Sequence, residues 1–158
     1  MEAGVEGGLA PPTTSDWARC DPDVCIVNLY DRCGRLGLHQ DRDESQGSIR
    51  KGTPVVSLSF GDTAIFEYIE AETLRAHEEA RGQAGSDGGA AAGIRASDLD
   101  KLPRRSVKLG SGDVLVFGGA SRLIYHGVSK ILPHSCRVRP WNTLGVKRGR
   151  LNLTFRQF

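Results

Sequence analysis

Apolar and polar residues alternate along much of the chain with the two-residue period of β-strands. The alternation is strictest at residues 150–157, where Leu151, Leu153 and Phe155 face one way and the polar residues between them face the other. Similar short segments, bounded by turn-forming residues, occur at 24–30, 35–41, 54–60, 63–69, 106–110, 114–119 and 123–128. Eight short strands with little helix predict an all-β barrel or a double-sheet jelly roll.

The connections between these segments carry their own predictions. Gly61 and Asp62 are a strong turn signal, so 54–60 and 63–69 are expected to form a hairpin. Within 35–41, strict alternation predicts Leu36 and Leu38 on one face and His39 on the other. The basic, proline-containing stretch 129–149 is expected to be a loop.

Two regions depart from the strand pattern. Residues 1–23 are rich in Gly, Pro, Ser and Asp and predict a flexible lead-in, which leaves 24–158 as the domain. Residues 70–106 combine a helix-compatible stretch with low-complexity sequence, and we expect a surface insertion that is partly helical and partly disordered.

Composition narrows the class of protein. The 158 residues are 39% hydrophobic and 25% charged, as in globular domains, and no apolar run reaches the roughly 18 residues of a membrane span. No secretory or mitochondrial leader is recognisable. The four cysteines, which contain no CxxC pair, are expected to be free thiols in a reducing compartment: Cys20, Cys25, Cys33 and Cys136. We therefore expect an intracellular protein, in the nucleus or cytoplasm, with an organelle left open.

Charge is unevenly distributed. From Val114 onward there is no Asp or Glu, although the segment contains eight basic residues: Arg122, Lys130, Arg137, Arg139, Lys147, Arg148, Arg150 and Arg156. Segregation of this kind indicates a polyanionic partner such as nucleic acid, or simply a solvated basic face.

A metal site is the strongest chemical signal. His39 and Asp41 are two apart on a predicted strand and can bind one cation side by side, and His126 on a later strand can complete the set. Two His and one carboxylate form the facial triad of non-haem Fe(II) oxygenases. A polar turn at His39 and a packed core histidine at His126 are the competing interpretations.

The last predicted strand suggests a second ligand. Arg150 and Arg156 are an even number of residues apart, so they point to the same face of the strand, and Asn152 lies between them on that face. An inward-facing arginine pair is costly without an anion, and a guanidinium binds a carboxylate through two hydrogen bonds. The alternative is an edge strand whose polar side faces water.

Four blocks resemble the AlkB family in order: NLYDRCGRLGLHQDRDE, PVVSLSFGDTAIFEY, SGDVLVFGGASRLIYHGV and RLNLTFRQ. The resemblance covers roughly 24–69 and 107–158 and is greatest to AlkB homologue 1-like proteins of plants and algae. It implies a double-stranded β-helix and a dioxygenase that uses Fe(II), 2-oxoglutarate and O₂ to remove alkyl groups from nucleic-acid bases, with formaldehyde release.

Residue by residue, the resemblance implies these roles. His39, Asp41 and His126 would bind Fe(II). Asn28, Tyr30 and Asn152 would contact 2-oxoglutarate, with Arg150 on its distal carboxylate and Arg156 at the carboxylate end nearer the metal. Asp43 would face the target base.

The expected partner is methylated DNA or RNA presented single-stranded or as a flipped base, with no membrane partner and a monomeric chain. Family members carry a longer stretch before the first barrel strand, including the lid over the base, so the chain is expected to be an N-terminally truncated form. Two other functions stay open: an inactive nucleic-acid-binding remnant without the substrate lid, and a cupin-like metalloprotein acting on a small molecule.

Overall fold

The structure is a computed structural model that describes residues 21–31, 33–84, 94–136 and 149–158. Two four-stranded antiparallel sheets dominate it, in the orders β1-β8-β3-β6 and β2-β7-β4-β5. The strands are β1 (Val24–Tyr30), β2 (Leu36–His39), β3 (Val55–Gly61), β4 (Thr63–Tyr68), β5 (Arg105–Leu109), β6 (Val114–Phe117), β7 (His126–Leu132) and β8 (Arg150–Arg156). The predicted eight-stranded double-sheet jelly roll is confirmed.

In the part of the chain that the structure describes, three α-helices and one short 3-10 helix connect the strands: α1 (Gln46–Lys51), α2 (Ala71–Ala84), α3 (Ala96–Leu99) and the 3-10 helix Gly119–Ser121. Helix α1 was not predicted. It begins at Ser45, whose hydroxyl accepts a hydrogen bond from the amide of Ser48, and ends at Gly52 in a left-handed conformation with φ of 65°. The helix thereby returns the chain from the end of β2 to the start of β3.

Alternate side chains of strand β8 point into the space between the two sheets. It lies between β1 and β3 and pairs with β1 from Val24 opposite Arg156 to Tyr30 opposite Arg150. Its polar positions are all buried, and they are Arg150, Asn152, Thr154 and Arg156. The inward orientation predicted for this row is confirmed, and the alternative of an edge strand facing water is wrong.

The predicted hairpin of 54–60 and 63–69 is not formed. Strand β3 pairs with β6 and β8, whereas β4 pairs with β5 and β7, so the chain crosses between sheets at Gly61. Gly61 has φ of 87°, a conformation that favours glycine. The amides after it donate outside the turn, from Asp62 to the carbonyl of Gly149 and from Thr63 to the Ser135 hydroxyl. The turn signal at Gly61 and Asp62 is therefore the point where the chain passes from one sheet to the other.

A β-bulge changes the parity of β2. Leu36 lies opposite Val128 and His39 opposite His126, so three residue steps on β2 match two on β7. Leu36 consequently lines the same cavity as His39, while Leu38 packs outside against the insertion. The prediction that Leu36 and Leu38 share a face is wrong, because strict alternation does not hold across a bulge.

Strand β7 begins later and ends later than predicted. Of the expected strand 123–128, only the part from His126 onward is strand, and the chain before it follows the 3-10 helix as a turn. Residues 129–132, which were assigned to a loop, continue β7, because 130–132 pair with Thr63–Ile65 of β4 and Ser129 lies at a shift in the register. The rest of that predicted loop is described only at 133–136 and 149.

The insertion at 70–106 is partly helical as predicted: α2 covers the helix-compatible stretch, whereas α3 was not predicted. Its low-complexity part, 85–93, lies outside the described residues. The insertion is also packed against the barrel. Leu74, Ile94 and Leu99 form a buried cluster with Ile69 of the barrel, and three partly buried residues pack against it: Leu38, Leu102 and Tyr125. The insertion is thus part of the hydrophobic core.

The outer face of the β1-β8-β3-β6 sheet is apolar and open. Val27 and Leu29 on β1 are 62% and 64% exposed, and Val114 on β6 is 57% exposed. Because successive strand residues point to opposite faces, the same alternation that turns Asn28 and Tyr30 inward leaves these side chains outside. Within the described residues, no helix has the length and apolar character that crossing a membrane requires.

Candidate active site

Three side chains converge between the two sheets. His39 ends β2, His126 begins β7 directly opposite it, and Asp41 follows two residues after His39. Their possible ligand atoms all lie within 4.8 Å of one another. The Nε2 atoms of His39 and His126 are 3.6 and 3.7 Å from the two carboxylate oxygens of Asp41. The conjunction predicted from sequence is therefore present in the fold.

Both histidines are oriented by backbone carbonyls. Nδ1 of His39 is 2.9 Å from the carbonyl oxygen of Gly37, and Nδ1 of His126 is 3.2 Å from that of Ile124. A proton on each Nδ1 would satisfy these contacts and leave each Nε2 lone pair for a metal. The His126 ring is further held between Phe66, stacked at 5.5 Å, and Phe117 at 5.0 Å.

Local electrostatics favours cation binding. Burial lowers the pKa of His126, so this ring is neutral near pH 7, as a ligand must be. Burial alone would raise the pKa of Asp41, but the interaction with His39 and the positive charges around it lower that pKa below its ordinary value. The interaction with Asp41 in turn raises the pKa of His39.

These residues fit a first-row divalent metal. Two imidazole nitrogens and one carboxylate on one side leave the opposite positions open for exchangeable ligands, which is the facial triad of Fe(II) oxygenases. The competing interpretations, a polar turn and an isolated core histidine, do not account for two Nε2 atoms facing one buried carboxylate.

A narrow cavity extends from this triad between the sheets. Its polar wall is the inward row of β8, joined by Asn28 and Tyr30 from β1. Asn152 donates to the Ser57 hydroxyl at 2.7 Å and accepts from Thr154 at 2.9 Å, which fixes the side-chain amide. The wall is thus held in one hydrogen-bonding arrangement.

Arg150 supplies the positive charge at one end of β8. Its exposed fraction is 2%, and it donates to the carbonyl of Leu109 and the hydroxyl of Ser59, both at 3.0 Å. Among the described residues no carboxylate lies within ion-pair distance, and Nε has no partner. Burial lowers its pKa although Tyr30 and Asp113 oppose that effect. A buried cation of this kind fits an anionic ligand.

Arg156 lies at the metal end of the same strand. One guanidinium nitrogen contacts the Asp41 carboxylate, and another is 3.3 Å from Glu44. The structure therefore brings together all the predicted residues of the triad and the cavity: Asn28, Tyr30, His39, Asp41, His126, Arg150, Asn152 and Arg156. Asp43 is exposed and is not among the cavity-lining residues, so its role stays a prediction.

Two buried residues escaped the sequence analysis. Glu44 has a fully buried side chain, and Arg122 is 2% exposed and pairs with it at 2.8 Å. Arg122 was counted among the basic residues facing a polyanion, but it points inward, as do Arg150 and Arg156. A signal was available: Arg122 stands alone among apolar residues four positions before His126.

Comparisons with known proteins agree with this geometry. The family model described as "2OG-Fe(II) oxygenase superfamily" matches residues 13–156. The chain therefore belongs to the 2OG-Fe(II) oxygenase superfamily, a class whose cofactors are Fe(II), 2-oxoglutarate and O₂. Its similarity to the relatives below places it, as the resemblance implied, with the AlkB-type members.

The relatives are longer than this chain. An Arabidopsis thaliana protein named "DNA N(6)-methyladenine demethylase ALKBH1D" is 47% identical over 87% of this chain and 25% of its own length. A Caulobacter vibrioides protein named "Alpha-ketoglutarate-dependent dioxygenase AlkB homolog" is 38% identical over 86% and 45%. A solved structure described as "The structure of OsALKBH1" matches with a TM-score of 0.65 and 42% identity, over 88% of this chain and 49% of that one. The chain thus spans about a quarter to a half of the length of these three proteins.

Proposed function

We propose that the chain carries out Fe(II)- and 2-oxoglutarate-dependent oxidative demethylation of bases in DNA or RNA. One observation carries the proposal: the triad His39, Asp41 and His126 opens onto a cavity in which Arg150 is buried without a carboxylate partner among the described residues. A divalent metal and an anionic co-substrate are the two ligands that this arrangement fits.

The chain's own residues would divide the work as follows. The triad would hold the iron, and Arg150 would bind the distal carboxylate of 2-oxoglutarate while Arg156 faces its other end. Asn28, Tyr30 and Asn152 would hold the co-substrate between them. Once bound, the iron with 2-oxoglutarate and O₂ supplies the oxidation of an N-methyl group, which leaves as formaldehyde. The protein's contribution is position and exclusion of water.

The substrate proposal rests on relatives rather than on a contact seen here. Two Arabidopsis relatives are named DNA N(6)-methyladenine demethylases, so methylated DNA is the first candidate and methylated RNA the second. Because the triad lies between two sheets, a base would have to be single-stranded or flipped to reach it. Asp43, exposed two residues beyond Asp41, is the proposed contact to that base. We propose a nuclear or cytoplasmic, monomeric protein.

The deciding experiment measures succinate and formaldehyde. The purified chain is incubated with Fe(II), 2-oxoglutarate, ascorbate and oligonucleotides containing N6-methyladenine, N1-methyladenine or N3-methylcytosine. We expect equal amounts of both products on at least one base. His39→Ala should abolish them, whereas His77→Ala, which changes a histidine on α2 outside the site, should not. Succinate without formaldehyde would place the substrate outside the panel, and no succinate despite bound iron would favour the inactive remnant.

Binding of the polyanion has its own test. Arg137 and Arg139 lie outside the described residues but belong to the acid-free segment from Val114 onward. Reversing both charges should weaken oligonucleotide binding and flatten its dependence on salt, while uncoupled 2-oxoglutarate turnover is retained. Unchanged binding across a salt series would contradict a phosphate-binding role for these two residues.

A further inference from the structure

A buried ion cluster lies behind the metal ligands. It consists of Glu44, Arg122 and Arg156, whose side chains are 0%, 2% and 9% exposed. Oxygen Oε1 of Glu44 is 2.8 Å from Nη2 of Arg122 and 3.3 Å from Nη1 of Arg156. Removing three charges from water costs several kcal/mol per ion in order of magnitude, and apolar residues fill such space more cheaply. The cluster therefore needs a reason other than stability.

The contacts of the cluster lead to one residue, Asp41. Arg122 donates from Nη1 to the backbone carbonyl of Asp41 at 2.8 Å, and Arg156 contacts the Asp41 carboxylate. Asp41 is thus contacted by two arginines, one at its main chain and one at its side chain, and both arginines lie within ion-pair distance of the same oxygen of Glu44.

The cluster also spans the two ligand segments. Glu44 lies three residues after Asp41, and Arg122 lies four residues before His126. A further contact runs in parallel, because the Gln40 side chain donates to the carbonyl of Leu123 at 2.5 Å. The segment after His39 and the segment before His126 are therefore linked by side chains as well as by the β2-β7 ladder.

We propose that Glu44 and Arg122 are positioning residues that set the Asp41 carboxylate and the Arg156 guanidinium at the metal centre. This inference rests on the proposed function, since it presumes that the triad binds a divalent metal. Glu44 provides the anchor on which both arginines converge. Arg122 lies four residues before His126 and contacts both Glu44 and the Asp41 carbonyl. It would therefore hold the segment of His126 at a fixed distance from the segment of His39 and Asp41.

The test uses the whole chain and Co(II), whose visible absorption reports ligand number and geometry. Glu44→Gln keeps the shape of the side chain and removes its charge. We expect its affinity for Co(II) to fall about 10- to 100-fold, the usual effect of losing a residue that orients a metal ligand, with an altered Co(II) spectrum. Glu70→Gln is the matched control, because Glu70 pairs with Arg105 at 3.3 Å on the surface. Its affinity and spectrum should not change.

A purely structural role predicts a different pattern. Glu44→Gln would then lower the melting temperature but leave the Co(II) affinity and spectrum as they were, which would overturn the proposal. Arg122→Lys provides the second variant, and it decides the matter if Glu44→Gln does not fold. Lysine keeps the charge opposite Glu44 but cannot make two forked contacts, so we expect an intermediate loss of affinity. Wild-type affinity in that variant would equally overturn the proposal.

Failure of the proposed function looks different. If the unchanged chain binds no Co(II), or binds it equally well after His126→Ala, then the triad is not a metal site and the proposed function fails. If the unchanged chain binds Co(II) through His126 and only the cluster variants are silent, the positioning role alone is wrong.

Discussion

Replacing Arg150 with methionine should separate co-substrate binding from folding. The guanidinium is buried, has two neutral acceptors and has no carboxylate partner among the described residues. Its removal leaves Leu109 and Ser59 without a donor, at about 1–3 kcal/mol each, but it also relieves the burial of a charge. The two effects oppose each other, so we expect the free energy of unfolding without ligand to change by less than about 2 kcal/mol.

The same substitution should be severe for 2-oxoglutarate. Losing one partner of a buried charge pair costs about 2–5 kcal/mol of binding free energy, which corresponds to a roughly 30- to 5,000-fold larger dissociation constant for 2-oxoglutarate. Methionine fills a similar volume without a donor or a charge, so the loss reports the missing carboxylate contact.

Thermal unfolding with Mn(II) in place of iron measures both effects at once. In the wild type, 2-oxoglutarate at 100 times its dissociation constant adds about 2.7 kcal/mol to the free energy of unfolding and raises the melting temperature. At the same concentration, a roughly 30- to 5,000-fold weaker affinity leaves Arg150→Met with a stabilisation between about 0.9 kcal/mol and zero. Pyruvate provides the control ligand, since it has the keto acid but no distal carboxylate. Its weaker effect should be equal in the two proteins. An equal 2-oxoglutarate shift in both would refute the assignment of Arg150.

Three other outcomes follow from the geometry. The contact with Asp41 raises the pKa of His39 above its ordinary 6.5, so a metal must displace a proton, and the Co(II) affinity should increase between about pH 6 and 8 in a titration series. In the metal-free protein the same contact stabilises the fold below pH 6.5. This contribution is lost as the pH rises through the folded-state pKa, and urea unfolding at several pH values would detect the loss. Gly127→Ala should lower both the melting temperature and Co(II) affinity, because a Cβ there would lie 2.5 Å from the carbonyl oxygen of Leu36 and push β2 away from β7; an unchanged melting temperature would contradict this. Replacing Val27 and Leu29 with threonine should reduce binding of a hydrophobic dye and raise solubility with little loss of Co(II) affinity, since both side chains are on the outer face.

Sequence reasoning succeeded where the relevant information is local. The alternation of side chains along β8 predicted that Arg150 and Arg156 point inward, and this alternation depends only on the two-residue period of a strand. The triad was found because His39 and Asp41 are close in sequence and because His126 stands out in an apolar strand.

It failed where the answer depends on distant partners. The turn at Gly61 was assigned to a hairpin, since nothing near it reveals that β3 and β4 belong to different sheets. Strict alternation in β2 missed the bulge, which exists because of pairing with β7, about 90 residues away. Glu44 and Arg122 were overlooked for the same reason: Arg122 is an isolated charge in an apolar stretch, but only a contact across 78 residues shows that it pairs with Glu44.

The packing of the insertion links it to the chemistry. Leu38 and Tyr125, which pack against the buried cluster of Leu74, Ile94 and Leu99, directly precede the two histidines of the candidate triad in the chain. We therefore expect the ordering of those histidines by a metal to be coupled to the ordering of helix α2, and such a coupling would act in both directions. Hydrogen exchange of the α2 amides should slow when a metal binds at the triad. A shortened insertion should change the metal affinity although the triad residues themselves are unchanged.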